Sequence, residues 1–138
     1  MIKINDISKS FSDKQVLTGI SGEFEKGKTN LIIGSSGTGK SVLLKCIVGL
    51  IQPDTGNVYF DLRNFTEADK EMKSEIRREI GMLFQGGALF DSKNVEENVM
   101  FPLNILTKMN AEEKMDRVNF CLQWPGQCLP VFSYHHLF

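Results

Sequence analysis

One run of residues narrows what this chain can fold into more than any other: Leu31 to Leu50, LIIGSSGTGKSVLLKCIVGL. Inside it, Gly34-Ser35-Ser36-Gly37-Thr38-Gly39-Lys40-Ser41 has the spacing glycine, four residues of any kind, glycine, lysine and a hydroxyl residue. A backbone that wraps phosphates must aim successive N–H groups inward, which demands glycine wherever φ is positive or a side chain would collide. Gly34, Gly37 and Gly39 meet that need. Such a loop must end at a helix N-terminus, whose unpaired amides and partial positive charge favour an anion, while a lysine reaches the outer phosphates and a hydroxyl holds Mg²⁺. Lys40 and Ser41 take those two roles, with Ser35, Ser36 and Thr38 completing the loop. The flanks agree, because Thr29 to Ile33 is a short apolar, β-compatible run and Ser41 to Leu50 is a helix-length apolar segment with Gly49 near its end. Strand, loop and helix in that order outweigh the competing reading of a glycine-rich turn between two core elements. The run is read as a phosphate-binding P-loop.

Composition bounds the rest. At 138 residues with 41% hydrophobic side chains, the chain is sized for one domain with an ordinary core. A net charge of −1 gives no basic footprint for nucleic acid, so no nucleic-acid partner is assigned. No signal-type leader is read, and no apolar run approaches the roughly 18 residues that a membrane span needs. The expectation is a cytosolic chain. Cys46, Cys121 and Cys128 lack metal-ligand spacing and read as free thiols, with Cys46 packed in the helix after the P-loop.

Alternation at Ile2, Ile4 and then Ile7, and again over Val16 to Phe24, predicts two antiparallel strands joined by a turn at Ser12-Asp13-Lys14. Phe11, just before that turn, is placed either to cap the small sheet's core or to stack on an adenine ring, and the residues alone favour core packing. Pro53-Asp54-Thr55-Gly56 is a turn signal, after which Asn57 to Phe60 returns to the sheet. Thr66 to Glu79 predicts a surface helix capped by Thr66 or Asp69, with Met72, Ile76 and Ile80 as its apolar stripe and Arg77-Arg78 on a solvated face. Ile80 to Phe84 reads as a buried strand ending at Gln85, and a polar amide at such a strand end is a typical position for ligand chemistry in open α/β sheets. Asn94 or Ser92 caps a short helix through Val99 that Pro102 stops. Asn110 begins another, with Glu113 placed as in a capping box and Met115, Val118 and Leu122 on one face. From Trp124 onward, WPGQCLPVFSYHHLF has no helical or strand period, and the expectation for Trp124 to Phe138 is poor order.

With Phe11, the P-loop and Gln85 in that order, residues 1 to about 122 resemble the ATP-binding subunit of ABC transporters. The resemblance implies an α/β P-loop NTPase fold of the ABC ATPase type, here incomplete: an antiparallel β subdomain plus the first part of the parallel-sheet core. On this division 1–122 is a truncated ATP-binding domain and 123–138 an aberrant tail. Phe11 matches the family's aromatic A-loop position, and Gln85 matches its Q-loop glutamine, which the resemblance makes a sensor of Mg²⁺ and the attacking water. More narrowly, Ser41 to Lys45 and the run IGMLFQGGALFDSKNVEENVMFPL from Ile80 to Leu103 are similar to the branch that serves MCE-type lipid importers, the Mla system. That branch has Leu-Thr where this chain has Lys93-Asn94, and commonly glycine where it has Leu62; neither departure touches the nucleotide site.

The resemblance further implies ATP and Mg²⁺ as cofactors, a membrane permease subunit and a second ATP-binding subunit in a head-to-tail dimer as partners, and a cytoplasmic position at the inner membrane through the permease. It also exposes a departure. The family's signature loop, Leu-Ser-Gly-Gly, its apolar strand ending in Asp-Glu and its switch histidine have no match in the sequence. Ile20-Ser21-Gly22 and Ala88-Leu89-Phe90-Asp91 echo two of them at the wrong places, and His135 and His136 follow no catalytic strand. The expectation is a chain that binds ATP without hydrolysing it. Two alternatives stand beside it: a P-loop small-molecule kinase, which would need an arginine-bearing lid, and a non-catalytic remnant fragment with an exposed apolar sheet edge.

Overall fold

The structure is a computed structural model, which describes residues 1–82 and 89–123. The chain forms two compact units, Met1–Arg77 and Arg78–Phe138, described in turn.

In the first unit, β1 (Ile2–Phe11), β2 (Lys14–Phe24), β3 (Thr55–Phe60) and the two-residue β4 (Arg63–Asn64) make an antiparallel sheet in the order β2-β1-β3-β4. The hairpin between β1 and β2 pairs Phe11 with Lys14. Strict alternation would send Ile4 and Ile7, three residues apart, to opposite faces, yet both are buried. A bulge reconciles them. Asp6 has φ +54°, and the register of β1 shifts between Ile4 and Ile7 against β2 and between Asn5 and Ser8 against β3. The extra residue restores the inward parity of Ile7. A short polar side chain tolerates this left-handed conformation, and the freed Asp6 N–H donates to Ser21 Oγ at 2.9 Å. The neighbouring strand must accommodate the bulge: at Gly56, φ +88°, a Cβ would lie 2.3 Å from the Asp6 carbonyl oxygen.

Helix α1 (Lys40–Ile47) buries Leu43, Cys46 and Ile47, and these join Ile4, Ile7, Leu17, Val58, Phe60, Phe65 and Ile76 among the buried side chains of this unit. The helix closes on a Schellman arrangement: Gly49 at φ +72° donates to Cys46 O, and Leu50 donates to Lys45 O at 2.8 Å. Phe65 packs so closely on Gly49 that any Cβ there would sit 2.5 Å from the ring, and it meets Phe60 edge-on at 5.3 Å. Helix α2 (Lys70–Arg78) starts four residues later than Thr66. Asp69 is the cap, accepting from Met72 N–H at 2.8 Å, while the Thr66 hydroxyl is engaged by Val58 N–H of β3. Arg77 is no mere solvated charge: its Nη2 donates to Gly49 O at 3.1 Å, and its guanidinium lies over Phe65.

Two expected strands differ. Thr29 to Ile33 carries no strand, and neither do Ile80, Gly81 and Met82; Leu83 and Phe84 lie outside the described residues. An extended segment becomes a strand only when another backbone pairs with it, and no such ladder reaches Thr29–Ile33 among the described residues.

In the second unit, α3 (Val95–Leu106) and α4 (Ala111–Gln123) are the described helices. Both begin with reciprocal capping boxes, Asn94 with Glu97 and Asn110 with Glu113. Helix α3 does not stop at Pro102 but runs through it. The ring removes one N–H within the helix, but residues beyond it stay helical, with Leu103 buried and its carbonyl accepting from the Thr107 amide and hydroxyl. On α4 the buried pair is Val118 and Cys121 rather than Met115 and Leu122, which are exposed. The tail from Trp124 to Phe138 lies outside the described residues.

Candidate functional site

The loop from Gly34 to Gly39 lies between an extended segment and the first turn of α1, and three devices hold it. Ahead of it, Asn30 staples the turn that leaves β2: its Oδ1 accepts from Glu25 N–H at 3.2 Å, and its Nδ2 donates to the carbonyls of Glu25 and Lys28 at 3.0 Å each. Within it, Thr38 Oγ1 donates to Ser35 O at 2.9 Å. Across it, the Lys40 ammonium turns back to donate to Gly34 O at 2.7 Å and to Ser35 O at 2.6 Å. The lysine side chain thereby closes a ring around the loop.

Each glycine has its own reason. At Gly34 a Cβ would meet Thr38 Oγ1 at 2.9 Å, so the side chain is excluded by the closure itself. Gly37, at φ +79°, faces open space and is needed for its backbone alone. Gly39, the N-cap of α1 at φ +93°, needs both, because a Cβ would fall 2.9 Å from Val16 Cγ1 and 3.1 Å from the Val16 carbonyl. Through that contact the loop rests directly on β2.

Chemically, the arrangement suits an anion. Gly39 supplies no side-chain cap, so the first amides of α1 are left for a ligand. An ammonium has three donors, and two of Lys40's are spent on the loop, which leaves one for a phosphate oxygen. Ser41, the second residue of α1, is exposed beside it, where its hydroxyl would hold Mg²⁺. Ser35 and Ser36 are exposed as well. No cluster of three or more potential metal-ligating side chains occurs among the described residues. Gln85 lies outside the described residues.

Phe11 is not a core residue: it is 44% exposed, and the Lys9 ammonium lies 5.6 Å from its ring centroid. Lys9 is paired with Asp54, whose other oxygen accepts from Ser10 N–H at 2.7 Å. These two contacts, Lys9 first, hold the Asp54 carboxyl below the usual carboxylate range. Below them, burial pushes the Cys46 thiol up, with Lys9 and Asp54 acting on it in opposite directions. Lys9 and Asp54 escaped sequence reasoning, because Pro53 to Gly56 announces only a turn and an isolated lysine in a strand announces nothing.

Comparison with known proteins points one way. The family model described as ABC transporter matches residues 17–128. The probable ribonucleotide transport ATP-binding protein mkl of Mycobacterium leprae is 37% identical over 91% of this chain and 36% of its own length. The methionine import ATP-binding protein MetN of Brucella abortus is 34% identical over 91% of this chain and 34% of its own. The chain thus spans about a third of the curated relatives it matches. Among solved structures, the ATP-binding cassette MJ0796, a dimer bound to ADP and Pi in a post-hydrolysis state, superposes with a TM-score of 0.78 at 29% identity, covering 96% of this chain and 60% of that one. The cbiO1 protein of Clostridium perfringens, part of the transporter complex cbiONQ, gives 0.74 at 27% identity over 96% and 52%. The glycine-walled loop closed by Lys40, the β1–β2 hairpin beside it and these matches agree: the chain belongs to the ABC transporter family and has the α/β fold of its ATP-binding cassettes.

Proposed function

We propose that this chain is a nucleotide-binding part of an ABC transporter, taking ATP with Mg²⁺ in the loop Gly34 to Ser41. The observation that carries the reading is the loop itself, in which Lys40 closes the ring at 2.7 and 2.6 Å and keeps one donor for a ligand. Gly34, Ser35, Ser36, Gly37, Thr38 and Gly39 cradle the phosphates by backbone amides, Ser41 and Gln85 serve Mg²⁺, and Phe11 meets the base. Bound Mg²⁺ would neutralise charge on the phosphates. The groups that orient an attacking water and the signature loop have no match in the 138 residues, so the chain by itself binds ATP and does not turn it over.

As partners we infer a membrane permease and a second ATP-binding subunit. The dimeric state of the MJ0796 cassette and the complex that contains cbiO1 support this; no described helix is long and apolar enough to cross a membrane. The chain would then work on the cytoplasmic face of the inner membrane. Two curated relatives carry the names of different cargoes, ribonucleotide and methionine. The assignment to phospholipid transport with an MCE-type partner therefore rests on Ser41 to Lys45 and the run from Ile80 to Leu103. Neighbouring genes for a permease and an MCE-type lipid-binding protein would support it, and a neighbourhood with neither overturns it. The proposed division into a cassette portion, 1–122, and a separate tail, 123–138, is tested by amide exchange, with strong protection across 124–138 the contrary result.

The test of the central reading is titration of ATP·Mg²⁺ alongside phosphate release, with Lys40→Ala as the control. Loss of a charge-assisted contact worth about 1.5–3 kcal/mol lowers affinity roughly ten- to a hundredfold. Equal affinity in the variant would refute the site, and Lys40-dependent phosphate release would refute the absence of turnover.

A further inference from the structure

Lys9, Phe11 and Asp54 form a chain of contacts at the end of β1 that phosphate binding does not use. Lys9 is unlike the lysines in exposed pairs: its side chain is 17% exposed, against 51% for Lys3 and 65% for Lys28. Asp54 clamps it with one carboxylate oxygen while the other takes Ser10 N–H, and Asp54's own N–H donates to Ser8 O at 2.9 Å. The clamp is thus fastened to β1 at three successive residues. Phe11 stands next to Ser12, whose φ of +51° starts the hairpin turn, and the Lys9 ammonium lies over its ring, 5.6 Å from the centroid. Lys9 is also paired across the sheet with Leu17 of β2, and a Cβ at Gly39 would lie 3.0 Å from Leu17 Cδ2, so the cluster lies close to the start of the helix that begins at the phosphate loop.

We propose that Lys9, clamped by Asp54, is a positioning residue for Phe11: it fixes the ring for stacking on a nucleobase and so sets the base's share of nucleotide affinity. This rests on the reading that the loop binds a nucleotide with its base at Phe11. The physical ground is order before binding. A partly exposed ring at the end of a strand has more than one staggered rotamer open to it, and stacking must select one. A cation held over one face by an anchored carboxylate makes that selection in the free protein. The base is uncharged, so Lys9 acts on it through the ring, whereas any direct pull of Lys9 on phosphates would be the same with or without a base.

The experiment compares ATP·Mg²⁺ with inorganic tripolyphosphate·Mg²⁺ as ligands of the 138-residue chain and of Phe11→Ala, Lys9→Met, Lys9→Arg and Asp54→Asn, with urea melts to confirm folding. The readout is the ratio of the two affinities, which a general loss of stability leaves unmoved. Phe11→Ala should lower the preference for ATP about tenfold. Lys9→Met and Asp54→Asn should lower it about two- to tenfold, and Lys9→Arg should retain it. If Phe11→Ala lowers the ratio while Lys9→Met and Asp54→Asn leave it unchanged, the inference is overturned and the nucleotide reading stands. If Lys9→Met weakens both ligands equally, Lys9 acts as a charge alone and the inference is again overturned. An unchanged ratio in Phe11→Ala overturns the placing of the base, and failure of both ligands to bind overturns the site itself.

Discussion

Replacing Gly39 by alanine separates two reasons for glycine that the loop keeps apart. At Gly39 the new Cβ would fall 2.9 Å from Val16 Cγ1, 3.0 Å from Leu17 Cδ2 and 3.1 Å from the Val16 carbonyl oxygen, on a backbone at φ +93°. At Gly37 the backbone is equally unusual, φ +79°, but nothing lies within 4 Å. Left-handed backbone alone costs a residue with a Cβ about 1–2 kcal/mol. The steric part is added only at Gly39, where a backbone carbonyl and a buried leucine must give way, and overpacking of that kind costs about 1–3 kcal/mol. Gly39→Ala should therefore destabilise the fold by about 2–5 kcal/mol and Gly37→Ala by about 1–2 kcal/mol. Urea denaturation at equilibrium measures both, and the urea slope shows whether the native state has loosened. Because Gly39 is also the N-cap of α1, relief by moving the helix away from Val16 would displace the amides that face the ligand, so ATP affinity should fall in folded Gly39→Ala too. Equal stability losses in the two variants would refute the argument that the loop is wedged against β2.

Arg77→Ala should cost about 1 kcal/mol and Arg78→Ala less than about 0.5 kcal/mol, because Arg77 alone holds Gly49 O and lies over Phe65; equal effects in urea melts would return Arg77 to a solvated face. In acid, Asp54 has the usual sign for a depressed carboxylate. Its contribution is fully present above its unfolded value of about 3.9 and is lost as pH falls through the lower folded value. Asp54→Asn should flatten the loss of stability below about pH 4 without abolishing it, since Asp61, held down by the N-terminal amine, titrates in the same direction. An unchanged acid limb in urea melts across pH 2–5 would contradict this.

How far the sequence could be read depended on whether a feature's cause lay within a few residues. The helix start at Lys40, the hairpin at Ser12 to Lys14 and the capping box of Asn110 with Glu113 are local, and each stands where its residues pointed; Asn94, offered beside Ser92 as a cap, gains its reciprocal partner Glu97 in the structure. Asn94 and Glu97, three apart, complete their hydrogen bonds with no help from elsewhere. Features set by distant partners were illegible. Asp6 gives no hint that β1 bulges there, because the bulge is matched by Gly56 fifty residues on. Arg77 looked like one charge in a mixed run until Gly49 and Phe65 were beside it. Pro102 looked like a stop because a missing N–H is a local penalty, while burial of Leu103 one residue later is a tertiary gain. On α4 a one-residue shift separates Met115 and Leu122 from the face that is buried at Val118 and Cys121, and a helical period alone does not settle so small a rotation.

The segment before the P-loop shows what this difference means for the site. Thr29 to Ile33 has the composition of a buried strand, yet Leu31 is 79% exposed and Ile33 84% exposed. Side-chain preference favours an extended backbone there but supplies no ladder of hydrogen bonds, and isolated extended segments have little stability of their own. The phosphate loop is consequently held in this chain by what is local to it: the Asn30 staple, the Lys40 ring, the contact of Gly39 with Val16 and the burial of α1 through Leu43, Cys46 and Ile47. A loop fastened by these contacts still presents its amides and its lysine, so nucleotide binding does not require a ladder along Thr29 to Ile33, where none is present among the described residues.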